Sequence, residues 1–254
     1  MRLLTAKIVD RAVMLAATSV LIAQEYAVPS ESFWDDIVGG RGYLVAVLVL
    51  IIATFGALAP LQLWAERSQM ERRTAIRHQI LNHFGRLLEI ASQAEPKPAA
   101  SDLGLHLWRT AWSLRRPRRR LVRAATYRLG STPATRVFEP GKGVGVVGLC
   151  WKRNEEVAIN VEDLARRLTT QIDFDAYRRD NGADAVMNLT WSEFVRVRHR
   201  GAVFASPIRD ARGGFVGCVS VDASSGFSLL ACNELWHEIN SLCMMLGSDS
   251  LAQV

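Results

Sequence analysis

The residues able to do chemistry are few and scattered. Five histidines (His78, His83, His106, His199 and His237) are dispersed over 254 residues, and four cysteines (Cys150, Cys218, Cys232 and Cys243) form no C-x-x-C pair. A zinc site needs Cys and His ligands at close, regular spacing, and a zinc-protease helix needs H-E-x-x-H. The step from His237 to Glu238 lacks the second histidine. The histidines therefore read as surface or linker groups. The cysteines fall in apolar segments and read as reduced thiols that pack as small hydrophobes. No metal site and no catalytic residue is expected, and the chain reads as a non-enzyme.

Binding chemistry is better represented. Residues 141–150 read GKGVGVVGLC, with Lys142 and Gly143 at the start. This is not a P-loop, which needs G-x-x-x-x-G-K-[ST] between a strand and a helix. Either Lys142 and nearby backbone N–H groups meet an anionic ligand, or the lysine sits exposed on a loop. Trp108, Trp112 and Trp151 either line a cavity, where aromatic faces stack on planar ligands, or pack as ordinary core. The candidate ligand-binding residues are thus Lys142, Gly143, Trp151, Trp108 and Trp112, with the cofactor unknown.

Arg115, Arg116, Arg118, Arg119 and Arg120 surround Pro117 in the sequence RRPRRR. Such a loop meets anionic lipid, neutralises nucleic-acid phosphates, or stays solvated. Tethering beside a membrane favours lipid over nucleic acid.

The membrane enters through residues 42–61, GYLVAVLVLIIATFGALAPL, which carry no charge in a chain of net charge +6. About 20 apolar residues are what a helix needs to cross a bilayer. A shorter uncharged stretch, residues 12–24, reads as a second transmembrane helix, a signal peptide or an interfacial helix. Arg2, Lys7 and Arg11 precede the first stretch and Arg67, Arg72, Arg73 and Arg77 follow the second. Basic flanks stay cytoplasmic, so residues 1–64 are expected to form a two-helix membrane anchor (about 8–28 and 42–63). The C-terminal part would lie on the cytoplasmic side of the cell membrane.

After the anchor, residues 65–95 read as a linker helix with Ile76, Ile80, Phe84, Leu87, Leu88 and Ala91 on one face. That stripe must be buried, either on a partner helix in a homodimer or on the chain's own domain. Residues 96–101 (PKPAAS) break the helix. Then come a strand pair around the arginine loop (103–112 and 121–129), a helix opening near 144–151 and another across 160–172. A weak strand over 194–199, a hairpin (201–208 and 215–222) and a closing helix over 227–246 complete the order. Antiparallel strands covered by helices make this an α/β domain.

Two segments carry a resemblance. PGKGVGVVGLCW (140–151) and PIRDARGGFVGCVSVDA (207–223) resemble the GAF domain family, whose last hairpin commonly turns through D-x-x-G-x-x-x-G. Asp210, Gly213 and Gly217 stand in those places, and the likeness covers roughly residues 101–247, leaving 248–254 as a tail. The resemblance implies a sensor domain that binds a small molecule or dimerises and regulates a linked output. The chain departs from the family's cyclic-nucleotide branch in lacking N-K-x-x-F-D-E, and no cysteine stands in an obvious bilin-attachment motif. Some GAF proteins reduce methionine sulfoxide, but the cysteines here do not match that pattern.

The expected protein is therefore an antiparallel-sheet GAF-like sensor domain preceded by one or two transmembrane helices. It would bind a small molecule or partner protein and signal through the linker helix. A ligand-triggered membrane effector and a ligand-free dimerisation module are the alternatives.

Overall fold

The computed structural model describes residues 2–28, 30–38, 42–93, 100–112, 119–130, 140–247 and 251, with side chains described for these except at 2–10, 37–38, 42–45, 55–63, 65 and 112. The chain forms two compact units, Met1–Glu71 and Arg72–Val254.

The first unit holds α1 (Arg2–Glu25), α2 (Glu31–Val38) and the start of α3 (Gly42–Gln93). Among the described residues no helix is long and apolar enough to cross a membrane. The expected transmembrane helices are corrected accordingly, and with them the membrane partner, the cell-membrane localisation and the cytoplasmic placement read from basic flanks. α1 has 24 residues, but Arg2, Lys7, Asp10, Arg11 and Glu25 lie among them. In α3 the side chains described within the apolar run are those of residues 46–54. The remaining side chains of that run lie outside the described residues.

The second unit is built on one antiparallel sheet of β1 (Gly104–Trp112), β2 (Arg119–Arg128), β3 (Val157–Asn160), β4 (Ala202–Arg209) and β5 (Phe215–Ala223), in the order β2-β1-β5-β4-β3. Both expected hairpins are present. In the turn between β4 and β5, the Asp210 carboxylate accepts from the backbone N–H of Arg212 (2.9 Å) and Gly214 (2.8 Å). Gly213 takes φ +77°, where a Cβ would be strained. The D-x-x-G motif is therefore a side-chain-capped turn.

Because side chains alternate along a strand, the sheet has two different faces. On one, Leu105, Leu107, Phe204, Val219 and Val221 are fully buried together with Ile80, Phe84 and Leu87 of α3 and Leu235, Ile239 and Leu242 of α9 (Asn233–Met245). The apolar stripe of α3 thus packs on its own domain, and the homodimer helix pairing expected from that stripe is corrected. Glu238 of α9 is buried, with His83 Nδ1 at 2.5 Å and Arg86 Nη1 at 3.7 Å.

The other face is covered by α4 (Gly145–Arg153), α5 (Val161–Arg167), α6 (Gln171–Asn181), a 3-10 turn (Ala183–Val186) and α7 (Trp191–Val197). Phe174, Phe194 and Trp191 cluster here with ring centroids 5.4–6.0 Å apart. Two expectations fail in this layer. Residues 160–172 do not form one helix: Leu164 and Leu168 are buried, but Ile172 is 81 % exposed. The chain stops at Leu168 and restarts at Thr170, whose hydroxyl and Asp173 form a reciprocal capping box. Likewise Thr190 and Glu193 cap α7, so residues 194–197 are helical rather than a strand. The closing helix also divides, into α8 (Phe227–Leu230) and α9. The proposed linker at 96–101 falls mostly outside the described residues.

Candidate functional site

Between the sheet and this helical layer lies a cavity of about 80 Å³. Its apolar wall comes from Val146 and Val147 of α4, Val161 of α5, Val197 of α7 and Val203 of β4. Its polar wall comes from the sheet and from Arg200: His106, Trp108, Arg123, Arg200, Ser220 and Asp222.

Strand register assembles the polar wall. His106 lies opposite Ser220 on β5 and Thr126 on β2, Trp108 opposite Cys218 and Arg123, and Gly104 opposite Asp222 and Arg128. Gly104 is needed there, because a Cβ would lie 2.5 Å from Asp222 Oδ1 and 2.6 Å from Arg128 Nη2. Asp222 is the hub. His106 Nε2 lies 2.7 Å from Asp222 Oδ1, Arg128 Nη2 donates to Oδ2 at 2.8 Å, and Arg200 Nη1 donates to the same Oδ2. A carboxylate only accepts, so Nε2 carries the proton and donates. In the neutral ring Nδ1 then accepts from the Thr126 hydroxyl at 3.1 Å. Trp108 Nε1 donates to Ser220 Oγ at 2.9 Å. The Arg123 guanidinium lies over the Trp108 ring, 4.7 Å from its centroid, a cation–π distance.

Burial alone would raise the Asp222 carboxyl. The hydrogen bond from His106, the charge on His106 once protonated, and the charges of Arg200 and Arg128 outweigh it and hold the group at about 2. Burial lowers His106, as do Arg200 and Arg123, against the opposing pull of Asp222. Both groups have folded-state values below their ordinary ones, so both resist protonation in the native state. Stability is then complete above about pH 6.5. It falls first as His106 is protonated in the unfolded chain, and again below about pH 4 toward 2 as Asp222 follows. The Asp222 step is worth about 2 kcal/mol. Urea denaturation from pH 8 to 3 is expected to show both declines, with the upper one reduced in His106→Gln, where His199, also lowered by burial, still contributes. A flat profile between pH 7 and 5 in the parent would contradict it.

The roof of the cavity is the glycine-rich segment before α4. Gly145 N–H donates to Met187 O at 2.8 Å, and Asn188 Nδ2 donates to Gly143 O at 2.8 Å. Asn188 also donates to Asp184, which Lys152 and Arg153 of α4 contact at 3.3 and 3.1 Å. α4 ends at Asn154 in the left-handed region, held by Arg209 Nη2 donating to its carbonyl at 2.5 Å.

Of the five expected ligand residues, Trp108 lines the cavity. Gly143 is not among the lining residues; its N–H donates to Gly148 O and its carbonyl accepts from Asn188 Nδ2. Trp151 is half-buried and stacks on Phe215 at 5.9 Å, and Lys142 is exposed with Nζ 6.0 Å from the Trp151 ring. The side chain of Trp112 lies outside the described residues. His106 is buried, against its expected surface position. It was missed together with Arg123, Arg200, Ser220 and Asp222. Polar residues alternating with Leu105, Leu107, Val219 and Val221 were the available signal.

Cys150, Cys218 and Cys243 are buried, and burial pushes Cys218 well up and Cys243 to about 12, so these two stay protonated and weakly nucleophilic. Arg115, Arg116 and Arg118 lie outside the described residues, while Arg119 and Arg120 open β2 and are exposed. Lipid contact by this loop rested on a membrane tether. Without a described helix able to span, that ground is lost, and the anionic-lipid partner is corrected.

No family model and no curated protein matches the chain. Solved structures do. A type II free methionine-R-sulfoxide reductase from Thermoplasma acidophilum is 12 % identical over 72 % of this chain and 96 % of its own, with TM-score 0.40. A putative GAF sensor protein from Burkholderia vietnamiensis is 11 % identical over 73 % and 97 %, with TM-score 0.39. The GAF domain of an Acinetobacter phosphoenolpyruvate-protein phosphotransferase is 15 % identical over 73 % and 93 %, with TM-score 0.37. The chain is thus distantly similar to GAF domains in fold alone, which corrects the expected membrane-anchored GAF-like protein. At these TM-scores the likeness carries nothing about ligand or partner.

Proposed function

We propose that the Arg72–Val254 unit is a non-catalytic sensing module that takes a small molecule into the cavity between its sheet and α4–α7. The observation that supports this is the two-sided lining: valines from four elements on one wall, and a small set of convergent polar groups on the other. Such a lining fixes the orientation of a ligand while excluding water. The rigid hydrogen-bonded hub around Asp222 supplies a preformed site, so little ordering cost falls on binding.

The volume limits the occupant. A water needs at least about 10–15 Å³ of such space, so the cavity suits a group of on the order of five non-hydrogen atoms. Whole nucleotides and tetrapyrroles exceed it. The test is the melting temperature of the full chain against a panel of small metabolites. A ligand that binds the folded state raises it in a dose-dependent way. Val203→Phe, which fills the cavity at a packing cost of about 1–3 kcal/mol, is expected to fold and to lose the response. A response that survives Val203→Phe, or none from the parent across the panel, would contradict the proposal and leave a ligand-free module.

A further inference from the structure

We infer that the occupant is a small oxyanion, a carboxylate or an inorganic oxyanion, and that Arg123 is the group that grips it. This rests on the proposal that the cavity binds a ligand at all. The polar wall and the layer beneath it hold three guanidiniums, of Arg123, Arg128 and Arg200, against one carboxylate, Asp222. His106 is neutral near pH 7 through burial, so it adds no charge. The excess positive charge is partly withdrawn from water, with Arg128 and Arg200 18 % and 12 % exposed, and an anion offsets its cost.

Arg128 and Arg200 are bound to Asp222. Arg123 is placed differently. Its Cζ lies over the Trp108 ring, 4.7 Å from the centroid, a contact that leaves the N–H groups of the guanidinium unoccupied. Its Nε is buried and, like that of Arg128, has no hydrogen-bond partner among the described residues. A buried unsatisfied donor is uncommon in native structures and calls for an occupant. The in-plane N–H pair of a guanidinium matches two oxygens of a carboxylate or a planar oxyanion. The valine wall opposite gives such an anion an apolar back, and Asp222 is the one carboxylate among the described lining residues. Burial and the neighbouring Arg200 both work against the Arg123 charge, and a bound anion relieves both.

The test uses the full chain at fixed ionic strength. Melting temperature and titration calorimetry are followed with acetate, pyruvate, nitrate and phosphate, and with acetamide as the neutral match to acetate. At least one anion is expected to stabilise the protein in a saturable way, with acetamide inactive; which anion acts separates carboxylate from inorganic sources. Arg123→Met removes the buried charge, so it is expected to melt no lower than the parent without ligand, and to bind about 10- to 100-fold more weakly. Arg123→Lys keeps charge without the fork and guards against a folding defect in the first variant. It is expected to lose most of the affinity as well. A response to acetamide but to no anion would overturn the oxyanion and leave the small-molecule proposal standing. No response to any panel member would overturn both. An anion response unchanged in both variants would overturn the role of Arg123.

Discussion

Asp222→Ala is expected to destabilise the Arg72–Val254 unit by about 3–5 kcal/mol, the largest effect of any polar substitution in the protein. The carboxylate is buried and accepts from His106, Arg128 and Arg200. Its removal leaves guanidiniums packed together in a largely buried site, and the cost of breaking a buried pair comes mainly from the charge left behind. Asp222→Asn keeps the shape and part of the acceptor capacity but not the charge, and is expected to fall between parent and alanine. Chemical denaturation at pH 7.5 checks both. A loss below about 1 kcal/mol for Asp222→Ala would mean that water already compensates the cluster. An added oxyanion should recover part of the loss, because it supplies the missing negative charge at the same wall.

Leu87→Ala is expected to cost about 2–5 kcal/mol, as for a buried leucine whose cavity cannot collapse. Leu87 is fully buried beside Ile80 and Phe84, against a sheet face made of Leu105, Leu107, Phe204, Val219 and Val221. Leu81, on the same helix but 49 % exposed, is the control, and Leu81→Ala should stay within about 0.5 kcal/mol. Equal and small effects at both positions would mean that residues 72–93 of α3 are not part of the folded core. A loss that depends on protein concentration at Leu87 would instead restore a helix-pairing interface.

These two substitutions also mark where the sequence was legible. The stripe Ile76, Ile80, Phe84, Leu87, Leu88, Ala91 is visible from its helical spacing alone, but spacing says only that the stripe is buried and not what buries it. The two hairpins were legible because strand alternation and turn residues reinforce one another, as at Asp210 and Gly213. β3 escaped because four residues give no period to count, and α7 was misread because Val195 and Val197 alternate with arginines while the capping residues Thr190 and Glu193 lie outside that window. The site was least legible. Its charges come from Arg123, Arg128, Arg200 and Asp222, far apart in sequence and brought together by strand register. The arginine-rich loop drew attention through local density, whereas Arg123, which lines the cavity, is separated from that run by Leu121 and Val122. The apolar run at 42–61 shows a further limit of pattern reading. Length and lack of charge suggest a span, yet among the described residues no helix meets both conditions.

The most direct test of a ligand-holding cavity is the indole N–H resonance of Trp108, assigned through Trp108→Phe, followed by nuclear magnetic resonance during titration of the full chain with small anions and neutral analogues. That N–H donates to Ser220 inside the polar wall, and Arg123 lies over its ring. An occupant is predicted to shift it saturably, at the concentration that raises the melting temperature, and Val203→Phe is predicted to abolish the shift. A stabilising ligand that leaves the Trp108 resonance unmoved would place the binding site elsewhere and contradict the central claim.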